Sequence, residues 1–225
     1  HEAQRVFYDR LINEEDQQWF ERLACELLSR HLGQMLSPEQ IFGENSVLFC
    51  DFMKAGVDVE NRRYELGGID KITALLGDAL DEYNVSFPTR MNLVFFSDAV
   101  RHIARMSRIL RQPRGNAMLV GVGGSGKQSL THLASYMAGS VPFQIVLTKQ
   151  YNLASFLDDL RMMYKTAGQQ RKKATFIFTD SQIKDENFLE LLNSLLMTGE
   201  IPGLFPKDEL QIMAGDIQQF APKGT

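Results

Sequence analysis

Several signals are absent from this 225-residue sequence, and each absence removes a class of function. No apolar run is long enough to span a membrane, and no secretory leader is visible, so we expect no membrane partner. The net charge of −4 at pH 7 argues against nucleic acid as the main partner. The first residue is His1 rather than methionine, so we expect a piece of a longer polypeptide.

Metal-binding and redox patterns are equally scarce. The two cysteines, Cys25 and Cys50, have neither metal nor redox spacing, and we expect both to be core residues of a protein from a reducing compartment. The histidines form no ligand pattern. The composition is otherwise that of an ordinary globular protein, with 44% hydrophobic and 23% charged residues.

One glycine-rich stretch stands out, because residues 121–127 fit the phosphate-binding pattern G-x-x-x-x-G-K. The apolar run 116–120 before it predicts a buried strand, and the spacing of Leu130 and Leu133 after it predicts a helix. Glycine amides and a helix N-terminus attract phosphate oxygens, and Lys127 would reach the β- and γ-phosphates. The alternative is a glycine-rich turn without a ligand. The predicted phosphate-binding residues are Gly121, Val122, Gly123, Gly124, Ser125, Gly126, Lys127, Gln128 and Ser129.

The last position of this pattern departs from the rule. It should be Ser or Thr, whose hydroxyl holds Mg²⁺, but it is Gln128. The amide oxygen of Gln128 could ligate the ion. The hydroxyl of Ser129 points elsewhere, because one residue along a helix is a rotation of about 100°. We favour a third interpretation, in which Gln128 hydrogen-bonds a phosphate or a neighbour while water and Asp180 hold the metal.

A second apolar strand, predicted over residues 174–179, ends at Asp180. Proteins with this type of phosphate loop place such an aspartate near Mg²⁺, and the alternative is a carboxylate that caps the next helix. The next residue is Ser181. Hydrolytic proteins with this type of phosphate loop usually carry a glutamate there that polarises the attacking water, and serine cannot act as a carboxylate base. Asp185 and Glu186 could substitute only from the next element. We therefore expect weak or no hydrolysis, with Ser181 as a degenerate catalytic position.

The pattern of apolar residues changes along the chain. Residues 1–90 are predicted to be mostly helical, with helices over 13–33 and 70–83 and a loop region over 37–68. A third helix is predicted over 92–110, on which Arg101, Arg105 and Arg108 form either a solvated face or a contact with a neighbouring module.

From residue 116 onward, strands and helices alternate. The strands are predicted at 116–120, 143–147 and 174–179, and the helices at 127–138, 152–165 and 185–197. Such alternation predicts an α/β fold in which helices flank a parallel sheet. A further strand should separate 116–120 from 174–179, and residues 200–225 contain no convincing candidate, so we expect an incomplete domain.

Several segments together resemble dynein heavy chains, which are motors built from AAA+ modules of the P-loop NTPase class. The segments that carry the resemblance are 91–96, 107–116, 121–129, 178–183 and 198–205. They are most similar to the fourth AAA+ module of the motor ring, and residues 5–11 resemble the closing helical part of the third. The Gly-Lys-Gln-Ser variant at 126–129 and the Thr-Asp-Ser-Gln variant at 179–182 resemble axonemal dyneins.

This resemblance implies a domain division and a ligand. Residues 1–90 would be the end of the preceding module plus a linker, and residues 91–225 a truncated nucleotide-binding module. The ligand would be ATP or ADP with Mg²⁺, with the adenine beside Leu93, Val94 and Phe95 at a helix start. The fourth module of a ring of six is regulatory, whereas the first hydrolyses ATP to drive movement along microtubules.

The resemblance also implies partners and a location. The neighbouring AAA+ modules of the same heavy chain would be direct partners, and the microtubule and the dynein intermediate and light chains would be partners of the parent motor. The location would be the cytoskeleton, with the axoneme of the cilium favoured and the cytoplasm as the alternative. Two rival functions stay open, an active ATPase in which another carboxylate replaces the missing glutamate and a nucleotide-free structural module.

Overall fold

The computed structural model of the protein describes residues 2–43, 48–54, 56–218 and 220. The chain divides into two units, residues 1–138 and 139–225, and each is described by itself. The glycine-rich loop of residues 121–127 lies in the first unit, and Asp180 lies in the second. The two halves of the predicted site therefore belong to different units.

The first unit is mostly helical. Its helices are α1 (Glu2–Val6), α2 (Glu14–Leu32), α3 (Pro38–Phe42), α4 (Ile69–Ser86), α5 (Ser97–Arg111) and α6 (Lys127–Met137), with 3₁₀ turns at Tyr8–Arg10 and Val59–Asn61. Helices α4, α5 and α6 pack on one another around a shared core. The residues at the centre of this core are fully buried because each recurs at helical spacing on the inward face. They are Ile72, Leu76, Val100, Ile103 and Leu133.

The region predicted as loop, residues 37–68, contains regular structure. Ser37 begins α3 with a capping box, in which its backbone N–H donates to Gln40 Oε1 at 2.8 Å. Strands β1 (Leu48–Cys50) and β2 (Glu65–Gly67) pair antiparallel, with Leu48 opposite Gly67. Their pairing joins residues distant in sequence, so local patterns do not reveal it and the loop prediction is wrong here.

The cysteines differ in burial. Cys50 is 1% exposed, and burial raises the pKa of its thiol to about 12, so it is neutral at physiological pH. Cys25 is only partly buried. The expectation of a core residue is confirmed for Cys50 and wrong for Cys25.

Helix α2 begins and ends where the sequence predicts. Asn13 precedes it, and Gly33 ends it in the left-handed conformation with φ of 65°. Its apolar residues are less buried than those of α4. Among the described residues of α2 none is buried, and Trp19 is 58% exposed.

Helix α5 begins at Ser97, five residues later than the predicted start at residue 92. The segment before it contains neither helix nor strand, and the Asn84 side chain binds both backbone groups of Met91. Asn84 Nδ2 donates to the Met91 carbonyl at 2.9 Å, and the Met91 N–H donates to Asn84 Oδ1 at 2.7 Å. The side-chain amide of Asn84 therefore satisfies both backbone groups of Met91, six residues before the helix begins.

The arginine stripe of α5 is not a solvated face. Arg108 pairs with Glu2, Arg105 lies 3.2 Å from Asp9, and Arg101 donates to the Gly43 carbonyl at 3.2 Å. These partners lie upstream of residue 90, in the segment that resembles the end of a preceding module. The stripe therefore binds the amino-terminal segment to α5.

Residues 116–120, predicted as a buried strand, are assigned to neither sheet of the described chain. Met118, Leu119 and Val120 are 90%, 41% and 84% exposed. A helix supplies its own backbone hydrogen bonds, whereas a strand takes them from a neighbour, so an apolar run without a partner does not become a strand. The prediction of a buried strand before the loop is wrong for this structure.

The second unit has the predicted alternation. Its elements are β3 (Val141–Gln144), α7 (Leu153–Gly168), β4 (Ala174–Ile177), a 3₁₀ turn (Asp180–Gln182), α8 (Glu186–Thr198) and α9 (Lys207–Gln218). Strands β3 and β4 pair in parallel, from Val141 opposite Ala174 to Gln144 opposite Ile177. Phe156 of α7 stacks on Phe188 of α8 at 4.3 Å between ring centroids, and both are fully buried.

The predicted fold class is confirmed as α/β with a small parallel sheet. The sheet has two strands in the described part of the chain, as expected of an incomplete domain. Among the described residues, no helix combines the length and apolar character needed to cross a membrane.

Candidate functional site

The backbone of the glycine-rich loop requires glycine at two positions. Gly124 has φ of 77° and Gly126 has φ of 76°, a region that side chains with a Cβ rarely enter. Gly126 directly precedes α6, and its carbonyl accepts from Leu130 N at 2.9 Å, which is the first hydrogen bond of the helix. The two left-handed glycines therefore turn the chain into α6.

Lys127 folds back over the loop that precedes it. Its Nζ donates to the carbonyls of Gly121 and Val122, both at 2.7 Å, and to Ser125 Oγ at 2.9 Å. All three acceptors are neutral. Because a phosphate oxygen carries negative charge, it would add Coulomb attraction to the hydrogen bond and be a stronger partner for this ammonium.

The N-terminus of α6 is open to an anion. No side chain caps it, and its first turn contains no acidic residue. The first N–H groups of a helix have no partner within the helix, and the dipole there favours negative charge. The loop, the lysine and the helix therefore fit a phosphate group.

Gln128 and Ser129 occupy the first turn of α6. Gln128 is exposed and Ser129 is half-buried. They are consecutive residues of a helix, so their side chains leave it about 100° apart. Whether either residue contacts a metal stays a prediction.

The residues predicted to surround an adenine lie in the extended segment before α5, not at a helix start. Leu93 and Phe95 pack against the core of the first unit, whereas Val94 is 79% exposed. The alternation is that of an extended chain with one covered side. Only Val94 therefore offers most of its surface to a ligand.

Asp180 follows β4 at the carboxyl end of the parallel sheet, where the sequence places it. It is exposed, and its Oδ1 accepts from the Ser181 N–H at 3.0 Å. The Ser181 hydroxyl lies 3.0 Å from Thr179 Oγ1. Asp180 does not cap the next helix, because Asp185 does so by accepting from Asn187 N at 3.0 Å. That alternative reading of Asp180 is wrong.

The turn Asp180–Gln182, called the acidic turn below, offers Mg²⁺ the single carboxylate of Asp180. The described residues contain no group of three or more His, Cys, Asp or Glu side chains that could hold a metal. Magnesium typically uses one or two carboxylates together with phosphate oxygens and water. A single carboxylate such as that of Asp180 suits an ion that arrives with phosphate.

The structure adds one residue that sequence reasoning missed. The side chain of Gln182 is buried, and its Nε2 donates to the Ile145 carbonyl at 2.7 Å. Its Oε1 accepts from the Thr179 N–H at 2.9 Å. Gln182 therefore joins the end of β4 to the chain that leaves β3. The sequence gives no signal for this, because Ile145 lies 37 residues away.

Comparison with known proteins agrees with this geometry. Residues 91–224 match the family described as the P-loop containing dynein motor region D4. Human dynein axonemal heavy chain 6 is 48% identical over 212 residues, and rat dynein axonemal heavy chain 5 is 40% identical over 236 residues. These alignments cover 94% and 99% of this chain but 5% and 7% of the relatives.

A third relative, human dynein axonemal heavy chain 8, is 43% identical over 227 residues, which are 93% of this chain and 5% of the relative. The chain thus spans about a twentieth of the length of the curated relatives it matches. The predicted resemblance to the fourth module of axonemal dyneins is confirmed. From the matched range, these identities and the phosphate loop at the start of α6, we conclude that the chain belongs to the family of P-loop containing dynein motor regions of the D4 type.

Proposed function

We propose that this module binds ATP or ADP with Mg²⁺ and regulates an axonemal dynein motor, with weak or no hydrolysis of its own. The observation that carries the proposal is Lys127, whose ammonium is held by three neutral acceptors beside the uncapped start of α6. Nucleotide with Mg²⁺ is the general ligand of this motor family, and the residues present suit it.

The proposed ligand-binding residues extend beyond the lysine. Residues 121–129 would hold the phosphates and Asp180 the metal ion. The exposed side of the extended segment Leu93, Val94 and Phe95 would approach the adenine. The division into a preceding segment, 1–90, and a nucleotide-binding module, 91–225, is supported by the family match, which begins at residue 91.

Weak hydrolysis follows from the acidic turn. Ser181 stands beside Asp180, and its hydroxyl is 3.0 Å from the Thr179 hydroxyl. A serine hydroxyl has no proton-accepting role comparable to that of a carboxylate at neutral pH. Of the nearby carboxylates, Asp185 is already bound to the N-terminus of α8. These features favour a binding module over the rival active ATPase.

The parent protein sets the wider role. The named relatives are axonemal dynein heavy chains, so we place the module in a motor that acts on microtubules in the axoneme of a cilium. Its direct partners would be the adjacent AAA+ modules of the same heavy chain. Dynein intermediate and light chains would associate with the parent motor elsewhere.

The test is Lys127→Ala in the complete heavy chain, with the phosphate loops of the other modules disabled. A charge-assisted contact to phosphate contributes roughly 1.5–3 kcal/mol, so the Kd for mant-ADP should rise at least about tenfold. Lys71→Ala is the matched control, because Lys71 is an exposed lysine of α4 in the same unit. Equal Kd values for the three proteins would remove the loop from the proposed site and favour a nucleotide-free structural module.

A further inference from the structure

The turn that carries Asp180 is fixed by a buried side chain. Gln182 is 6% exposed, and both ends of its amide are hydrogen-bonded within the second unit. A buried amide is retained at low cost only when its donor and acceptor are both satisfied. Gln182 meets this condition with two backbone groups that belong to different strand ends.

One of the two bonds holds the residue before Asp180, and the other ties Gln182 to the chain that leaves β3. The side-chain oxygen of Gln182, Oε1, accepts from the N–H of Thr179, the residue before Asp180, at 2.9 Å. The side-chain Nε2 of Gln182 donates to the Ile145 carbonyl, just past the end of β3, at 2.7 Å. The backbone of the turn also closes, because Gln182 N donates to the Thr179 carbonyl at 2.9 Å. Asp180 therefore lies in a short loop fixed at both ends and tied to the neighbouring strand.

We propose that Gln182 is a positioning residue for the metal ligand Asp180, which it holds at the carboxyl end of the parallel sheet. This rests on the proposed function, since it assumes that Asp180 contacts Mg²⁺. Asp180 itself contributes one visible restraint to its own position, the bond from Ser181 N to its Oδ1 at 3.0 Å. The carboxylate is exposed, so packing does not fix it and the backbone of the turn must. Groups that orient a metal ligand typically change metal affinity by about 10–100-fold when removed.

The experiment measures how Mg²⁺ strengthens mant-ADP binding in the complete heavy chain with the other phosphate loops disabled. Each protein is titrated with mant-ADP in EDTA and again at a series of Mg²⁺ concentrations. For Gln182→Met, a substitution of similar volume without either hydrogen bond, the Mg²⁺ concentration at half-effect should rise about tenfold or more. The Kd in EDTA should stay the same, because the phosphate loop is unchanged. A role confined to folding would not separate these two quantities.

Two further variants test the metal ligand itself and provide a control. Asp180→Ala should weaken the Mg²⁺ effect at least as much as Gln182→Met. Gln170→Met is the matched control, since Gln170 is an exposed glutamine of the same unit, and it should behave as the unsubstituted protein. A normal Mg²⁺ response in Gln182→Met beside a weakened one in Asp180→Ala would overturn the positioning role alone. A normal response in Asp180→Ala would overturn the metal-ligand assignment on which it rests.

A second substitution covers the case in which Gln182→Met does not fold, as judged by lost binding in EDTA. Gln182→Glu keeps an acceptor for Thr179 N–H but places an oxygen against the Ile145 carbonyl. It should raise the half-effect Mg²⁺ concentration, and hydrogen exchange at the Thr179 amide should stay as slow as in the unsubstituted protein. An unchanged Mg²⁺ response in Gln182→Glu would also overturn the proposal.

Discussion

The phosphate loop of the first unit and the turn at Asp180 in the second unit are built in opposite ways. The phosphate loop of residues 121–127 matches its sequence pattern closely, yet the apolar run before it is exposed and unpaired, with Met118 at 90%. The turn at Asp180 departs from its pattern, yet it ends a paired strand and is fixed by Gln182. A loop conformation can be set by a few glycines and one lysine, whereas a strand end is positioned by its neighbours. A segment can therefore match its sequence motif without being held by neighbouring strands, and a segment that departs from its motif can be well held.

Removing the support of the acidic turn should have the largest effect on stability. Phe188→Ala deletes a fully buried ring that stacks on Phe156 beneath the sheet of the second unit. Such a change costs about 3–5 kcal/mol because a cavity remains. We expect hydrogen exchange in β4 and in the turn Asp180–Gln182 to accelerate accordingly.

The control for this prediction is the next residue of the same helix. Leu189 is 46% exposed, so Leu189→Ala should leave exchange in β4 nearly unchanged. Equal acceleration in the two variants would show that the ring stack does not support the turn, and the contrast between the two halves would be lost.

A smaller effect, on nucleotide affinity, is expected from straining the backbone of the phosphate loop. Gly124 has φ of 77°, so Gly124→Ala forces a Cβ into the left-handed region at a cost of about 1–2 kcal/mol. The affinity for mant-ADP should fall about 5–30-fold. Gly123→Ala is the matched control, because Gly123 lies in the same open surroundings without a positive φ. Equal losses in both variants would mean that crowding of the ligand, and not backbone conformation, sets the need for glycine.

The same contrast explains what the sequence could predict. Helix α6 was predicted to within one residue at its end, because a helix depends on spacing and termination signals along its own chain. The strand at 116–120 and the pairing of β1 with β2 were mispredicted, because strands depend on partners that local patterns do not name. The bond between Asn84 and Met91, in the segment before α5, joins residues whose contact became visible only in three dimensions.

In the candidate site, too, the sequence predicts the features that depend on consecutive residues and misses those that depend on distant partners. The phosphate loop could be predicted down to Lys127, since its chemistry lies in consecutive residues. Asp180 could be placed at a strand end, and that placement is as predicted. The contacts of Gln182 could not be predicted, since one of them is to the Ile145 carbonyl, just past the end of another strand.

The central claim is that the module holds a nucleotide and cleaves it slowly, and the direct measurement is the fate of bound ATP. The heavy chain, with the other phosphate loops disabled, is loaded with radiolabelled ATP and Mg²⁺, and the nucleotide bound to it is identified over time. We predict that ATP stays bound and uncleaved far longer than the roughly 0.1 s turnover of a typical enzyme. Ser181→Glu, which restores a carboxylate beside Asp180, should accelerate cleavage about a hundredfold or more. Rapid conversion to ADP before any substitution, or no bound nucleotide at all, would contradict the account.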